Sequence, residues 1–375
     1  MKVPQFMPFV GKEEYRAIKQ CFDTNWITEG PLSKQFSEGL REEIGVDYGA
    51  FAPNGTLALV LALKALGIGP GDEVIVPSVT FLASATSVEF LGATPVFVDV
   101  DENVQLDLND VKRVMTPKTK AIMPVHLFGF TPDMDGILEF AKAANLLVIE
   151  DAAQAFGIRY KDRGCGSFGD AATFSFFAVK TLTTAEGGFV TTNREDVHEK
   201  LLYLRNQGRK NRGSFIHPEL GYNFRMTDIQ SAMGLAQLKK FNTLVEKKQA
   251  IHKKYAELFD GFEHIEVFHP PDYVTKFIPF RVIIKTKNDE ADLLMDHMRE
   301  NGVEPRMFFY PMHLQPAFDY LKEDPRYHSN NFPVSERLYA NGVCLPSFVA
   351  IKPQQIRHVV KVIKSFYDSK KEKAV

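Results

Sequence analysis

The chain is predicted to fold as an α/β protein built on a mostly parallel sheet, and three observations predict it. Helical and strand patterns alternate from about Asn54 to Val190, the strand segments are unbroken apolar runs, and glycine- or proline-rich stops separate them. Such alternation builds a parallel sheet through right-handed crossovers. Unbroken apolar strands belong to a sheet covered on both faces.

The elements follow in order. A buried helix is expected over 56–66, stopped by Gly67-Ile68-Gly69-Pro70-Gly71-Asp72. Strands are expected over 73–77, 95–100, 121–126 and 146–149, with helices over 81–91, 108–115 and 134–144 between them. A further β-type run covers 172–177. Near residue 240 the pattern changes: Phe241–Phe259 reads as one long charged helix leading out of the large domain. A strand over 276–287, a helix over 289–300 and a terminal helix over 354–366 then make a smaller α+β domain. The expected division is 1–245 for the large domain and 246–375 for the small one, with the N-terminal segment packing on the small domain. The polar tail from Ser369 onward is expected to fray.

Composition narrows the functional classes. Lys plus Arg number 45 against 47 Asp plus Glu, so no global charge recruits nucleic acid or a membrane. The cysteines Cys21, Cys165 and Cys344 lie far apart without metal-ligand spacing, which argues for a reducing compartment, no disulfide framework and no metal. The start MKVPQFMPFVGKEE has no signal pattern and no apolar run reaches membrane-spanning length, so a cytoplasmic location is expected.

One lysine stands out. Lys180 follows the apolar run ending at Phe177 and precedes a Thr- and Gly-rich turn. A lysine delivered by a buried strand is poorly solvated, and a desolvated amine is what Schiff-base chemistry needs; the bland alternative is a surface charge at a strand end. Asp151 ends the strand LLVIE, where a carboxylate points into the ligand crevice of a parallel sheet, either as a helix cap or as partner to a protonated ring nitrogen. Asn54-Gly55-Thr56 opens the first buried helix and offers a phosphate site or a plain cap. Phe81, in a turn after a strand, could stack on a planar ring or fill the core. His126 is an acid–base candidate or a satisfied local donor, His313 a candidate substrate contact, and Arg306 the better choice for a diphosphate. No GxGxxG or GxxxxGK[ST] loop supports a dinucleotide or ATP. A lysine, a strand-end acid, a Gly-Thr helix start and an aromatic after a strand are together what pyridoxal phosphate (PLP) requires.

The same residues resemble the PLP-dependent sugar aminotransferases of the DegT/DnrJ family, of aspartate-aminotransferase type (fold type I). The likeness runs through Trp26-Ile-Thr-Glu-Gly-Pro31, Asn54-Gly-Thr56, Val125-His-Leu-Phe-Gly129, Glu150-Asp-Ala-Ala-Gln154, Phe174-Ser-Phe-Phe177, Lys180 and Gly221-Tyr-Asn-Phe-Arg-Met-Thr-Asp228. The resemblance implies that Lys180 forms the Schiff base and shuttles the proton, Asp151 holds the ring nitrogen protonated, and Gln154 bonds the ring hydroxyl. It implies that Phe81 stacks on the ring and that Gly55, Thr56 and Ser175 bind the phosphate, joined by Asn223 from the neighbouring subunit of an obligate homodimer. Trp26, Arg306, Tyr310 and His313 are the candidate substrate contacts. Ala185 stands where many relatives carry glycine, and Phe81 where some carry Tyr or Trp. A dehydratase branch has histidine in place of the lysine, so Lys180 favours amination.

The activity so implied is a transaminase (EC 2.6.1 class) moving an amino group from glutamate to a nucleotide-linked keto sugar in a ping-pong cycle. The stretch 306–318 and the segment around Lys180 look most like C4-aminotransferases that make a perosamine-like sugar on GDP, for surface polysaccharide. UDP- and dTDP-linked substrates, with C3 or C4 amination, are the alternative. Two readings from other classes are a non-catalytic regulator on the same fold and a cofactor-free Schiff-base aldolase.

Overall fold

The computed structural model describes residues 1–209 and 215–373. Helices α1 (Lys12–Asp23) and α2 (Pro31–Ile44) lead into β1 (Tyr48–Ala52), α3 (Gly55–Ala65), β2 (Glu73–Pro77), α4 (Ala83–Glu89) and β3 (Thr94–Val98). There follow α5 (Leu108–Val114), β4 (Thr119–Ile122), α6 (Met134–Ala144) and β5 (Leu147–Asp151), then the short β6 (Arg159–Tyr160) and β7 (Arg163–Gly164). Next come β8 (Ala171–Ser175), β9 (Gly188–Thr192), α7 (Glu195–Arg205), α8 (Asp228–Lys239) and α9 (Phe241–Phe259). The chain continues through β10 (Ile265–Val267), β11 (Val274–Lys276), β12 (Val282–Thr286), α10 (Ala291–Glu300) and β13 (Arg306–Met307). It closes with α11 (Pro333–Asn341), β14 (Gly342–Leu345) and α12 (Pro353–Lys373).

The central sheet has seven strands in the order β1-β9-β8-β5-β4-β2-β3. The pairs from β3 through β8 are parallel, and β9 runs antiparallel to both its neighbours. This is the mostly parallel α/β sheet expected. Successive side chains serve opposite faces: Val74 and Val76 join the core formed with α3, α4 and α7, while Ile75 joins the core with α5 and α6. That double burial explains the unbroken apolar strands. Pro95, which cannot donate to a ladder, sits on the edge strand β3, where only one neighbour needs pairing.

A second sheet, β10-β12-β14-β13, packs with α10 and α12, and β11-β6-β7 form a small third sheet. Val3 pairs in parallel with Val303, its N–H donating to Gly302 O at 2.9 Å, and is buried among the side chains of this second core. Within α9, Phe241 and Val245 belong to a core of the large sheet, whereas Ile251, Tyr255 and Phe259 belong to the core of the second. We propose that the domains divide at this handover, near residue 245. Among the described residues no helix is long and apolar enough to cross a membrane.

The structure corrects several expectations. The strand expected over 121–126 ends at Ile122, because Pro124 has no N–H for the ladder. Beyond it His126 N still donates to Asp151 O at 3.0 Å, so the chain stays beside β5. The single strand expected over 276–287 is two strands in different sheets, β11 and β12, with Pro279 in the interval. The tail does not fray at Ser369: α12 continues to Lys373, and Ala374 and Val375 lie outside the described residues. α1, α2, β1, α7 and α8 were not expected, although Pro31 in the first turn of α2 and Gly45 at φ 83° after its end are ordinary start and stop signals.

Candidate active site

The site forms where a parallel sheet presents ligands, beyond the carboxyl ends of its strands. Phe81 follows β2, Asp151 ends β5, Ser175 ends β8, Lys180 lies in the turn after it, and Gly55 starts the helix after β1. All five, with Thr56, Gln154 and Arg306, line one cavity of about 650 Å³.

Each is held by local chemistry. Asn54 caps α3 through its side chain, which accepts from Leu57 N at 2.9 Å. The first N–H groups of α3 have no intrahelical carbonyl, and the capping leaves those of Gly55 and Thr56 for an anion. Gly55 lies so close to β8 that a Cβ there would stand 2.8 Å from Ser175 Cβ; the phosphate-type cradle therefore requires glycine. Asp151 Oδ2 accepts from Ser84 Oγ at 2.7 Å and Oδ1 from Ala153 N at 3.1 Å, which fixes the carboxylate while leaving acceptor capacity. Gln154 Oε1 accepts from Phe128 N at 2.8 Å. A backbone N–H can only donate, so the Gln154 oxygen is the engaged atom and its NH₂ is the group left to donate.

Lys180 is half-buried, its Nζ 4.9 Å from the centroid of Phe280. Burial pushes its ammonium down to about 8; Asp151 opposes that shift and the charge of Arg281 reinforces it. A substantial neutral fraction near neutrality suits a nucleophilic or basic amine. Arg281 also lines the cavity and was missed in the sequence, where 276–287 reads as one apolar strand; Pro279 is the signal that marks the break. Ala185 takes φ 67°, the left-handed region that glycine enters freely, which accounts for its standing out in the sequence.

The remaining candidates are engaged within the chain or lie outside the cavity. His313 is buried outside the cavity, Nδ1 2.7 Å from Ser78 Oγ and Nε2 3.1 Å from Glu336, and stacks on Phe332. Both ring nitrogens are engaged within the chain. Tyr310 packs edge-on against Tyr339. Trp26 is half exposed and covers Gly30. Asn223 is exposed, its Oδ1 accepting from Arg225 Nε at 2.7 Å, and does not reach the cavity of its own chain. His126 lines the cavity but is fully buried, with Nε2 2.8 Å from Glu150 Oε2 and Nδ1 2.9 Å from Thr131 Oγ1. Burial opposes its charge, yet the neighbouring Cys165 sulfur and the Glu150 carboxylate push its pKa up, so it stays protonated and satisfied.

A desolvated amine, a strand-end carboxylate and an open helix N-terminus meeting in one cavity suit PLP, which needs all three. Fold and site thus define a PLP-binding α/β enzyme. Residues 8–364 match the model of the DegT/DnrJ/EryC1/StrS aminotransferase family, and the chain belongs to that family. It is 38% identical to the GDP-perosamine synthase of Escherichia coli O157:H7, across 98% of this chain and 99% of the relative. It is 39% identical to the GDP-perosamine synthase of Caulobacter vibrioides, across 95% and 96%. The PLP form of Spr1654 from Streptococcus pneumoniae, described as a sugar aminotransferase, superposes with a TM-score of 0.91 at 27% identity, covering 98% of this chain and 99% of that one. The expected fold type I, the aminotransferase activity and PLP as cofactor are borne out.

Proposed function

We propose that this enzyme moves the amino group of glutamate onto C4 of a GDP-linked 4-keto-6-deoxy sugar, giving a perosamine-like product for surface polysaccharide. The observation that carries the reading is the Lys180 amine, lowered to about 8, in the same cavity as the strand-end Asp151. The choice of sugar is supported by the two near-full-length relatives named GDP-perosamine synthase.

The residues divide the work. PLP, when bound, supplies an electrophilic carbonyl carbon and an electron sink for the substrate carbon that loses its proton. Asp151 keeps a proton on the ring nitrogen, since a fixed anion favours the charged ring. Gln154 donates its NH₂ to the ring oxygen. Gly55 and Thr56 at the start of α3, with Ser175, hold the phosphate, and Phe81 covers the ring face. Lys180 would anchor the cofactor and, as a free neutral amine in its desolvated position, would take the proton from the donor carbon and hand it on from the same face.

The enzyme works as a homodimer in the cytoplasm, with Asn223 completing the partner's phosphate site. Supporting this, Asn223 is exposed and does not line its own cavity, and Leu220, three residues earlier, is 82% exposed. Incubation with glutamate and a panel of GDP-, UDP- and dTDP-linked 4-keto-6-deoxy sugars tests the reading. The GDP sugar should be aminated at C4 with the highest kcat/KM. Preference for a UDP or dTDP sugar, or amination at C3, would overturn the substrate assignment.

A further inference from the structure

Two buried hydroxyls stand in line behind Asp151. Ser84 Oγ, in the first turn of α4, lies 2.7 Å from Asp151 Oδ2, and Thr80 Oγ1 lies 2.8 Å from Ser84 Oγ. Ser84 and Thr80 are fully buried and Asp151 is 4% exposed. Serine and threonine in a helix ordinarily bond back to a carbonyl of the preceding turn. Thr86 does so to Leu82 O at 3.2 Å, and Ser87 to Ser84 O at 3.2 Å. Ser84 turns to Asp151 instead. Proton counting orders the line: an ionised carboxylate only accepts, so the single Ser84 proton points at Oδ2. With that proton engaged, Thr80 must be the donor to Ser84. Each donor in such a line strengthens the next, the more so in dry surroundings.

We propose that Ser84, backed by Thr80, is a positioning residue of the reaction: the pair holds Asp151 charged and fixed, so that the proton shared with the cofactor stays on the ring nitrogen. The proposal rests on the role given to Asp151 above. Hydrogen bonds to a charged form favour that form. Donors to Oδ2 therefore shift the shared proton away from the carboxylate and toward the nitrogen, where a charged ring draws electrons best. Orientation is fixed as well, because Ser84 holds Oδ2 while Ala153 N holds Oδ1 at 3.1 Å. Ser84 does not line the cavity, so its influence passes through Asp151.

The test loads the enzyme with PLP isotopically labelled at the ring nitrogen and records that nitrogen by NMR. In Ser84→Ala the signal should move toward the unprotonated position. The dissociation constant of PLP, titrated into cofactor-free protein, should rise about tenfold or more, as expected for a lost hydrogen bond to a charged group. With glutamate, kcat should fall about tenfold while KM stays within about twofold, because Ser84 touches no substrate. Ser84→Cys keeps the shape with a weaker donor and should fall between. Thr80→Val removes the outer donor at nearly equal size; it should move the same signal less, and it carries the test if Ser84→Ala does not fold. An unmoved nitrogen signal in folded Ser84→Ala, or a larger shift in Thr80→Val, would overturn the proposal. A ring nitrogen already unprotonated in the wild-type enzyme would instead overturn the role given to Asp151.

Discussion

Glu150 and Asp151 are consecutive residues of β5, both buried, yet their surroundings are opposite. Glu150 faces a closed shell: Gly166 N and His126 Nε2 lie 2.8 Å from Oε2, and Phe168 N and Gly169 N donate to Oε1 at 2.7 and 2.8 Å. Four donors fill the acceptor sites of a carboxylate. Asp151, turned by the strand to the other side, has Ser84 Oγ and Ala153 N and then the cavity. The lysines repeat the contrast. Lys248 gives its protons to two backbone carbonyls, whereas the Lys180 amine faces the cavity. Buried charge alone therefore does not mark function here; buried charge that the fold leaves incompletely partnered does.

Substitutions can break that contrast. The largest effect belongs to Lys180→Ala, which removes the amine proposed as both nucleophile and proton carrier: glutamate-dependent amination should fall by about 10⁴-fold or more, with the urea midpoint little changed. Asp151→Asn should cost about 10³-fold in kcat and less than about 1 kcal/mol of stability, because the amide oxygen can still accept from Ala153 N while the NH₂ in the other position donates to Ser84 Oγ, a hydroxyl that accepts as well as donates and has Thr80 Oγ1 2.8 Å away. Glu150→Gln should show the inverse. Whichever way the amide turns, its NH₂ confronts two donors, so stability should drop by about 3 kcal/mol, with the remaining folded enzyme far more active than Asp151→Asn. Equal instability in the two variants would erase the distinction.

The smallest effect sharpens the comparison of the lysines. Burial pushes Lys248 down to about 7, with the charge of Arg281 acting the same way, from an ordinary 10.5. Between those values the unfolded chain binds the extra proton, so this group makes the folded state more stable as pH rises. Cofactor-free wild-type protein should gain about 2 kcal/mol relative to Lys248→Met between about pH 7 and 9, measured by denaturant unfolding. Parallel pH profiles for the two would show that Lys248 stays charged throughout.

The cavity's core was legible because its signals are local. Asp151, Ser175 and Gly55 each sit at a strand end or helix start that apolar patterning locates, and Lys180 follows one by five residues. Arg281 was not, since the apolar run around it hides a change of sheet that only Pro279 marks. Nor could sequence separate Glu150 from Asp151: three of the four donors that saturate Glu150 come from a loop 16 to 19 residues on, the fourth is His126, 24 residues before, and their convergence is tertiary. The same holds for His313, whose partners Ser78 and Glu336 are 235 and 23 residues away. Local pattern finds a candidate, but whether its polar atoms are already satisfied is decided by distant chain.

The most direct test is borohydride reduction of the PLP-loaded enzyme followed by peptide mapping. The cofactor should be fixed on the peptide carrying Lys180 and on no other. Label on Lys248, the other lysine with a lowered pKa beside Phe280, or no label at all, would contradict the assignment of the open amine as the functional one.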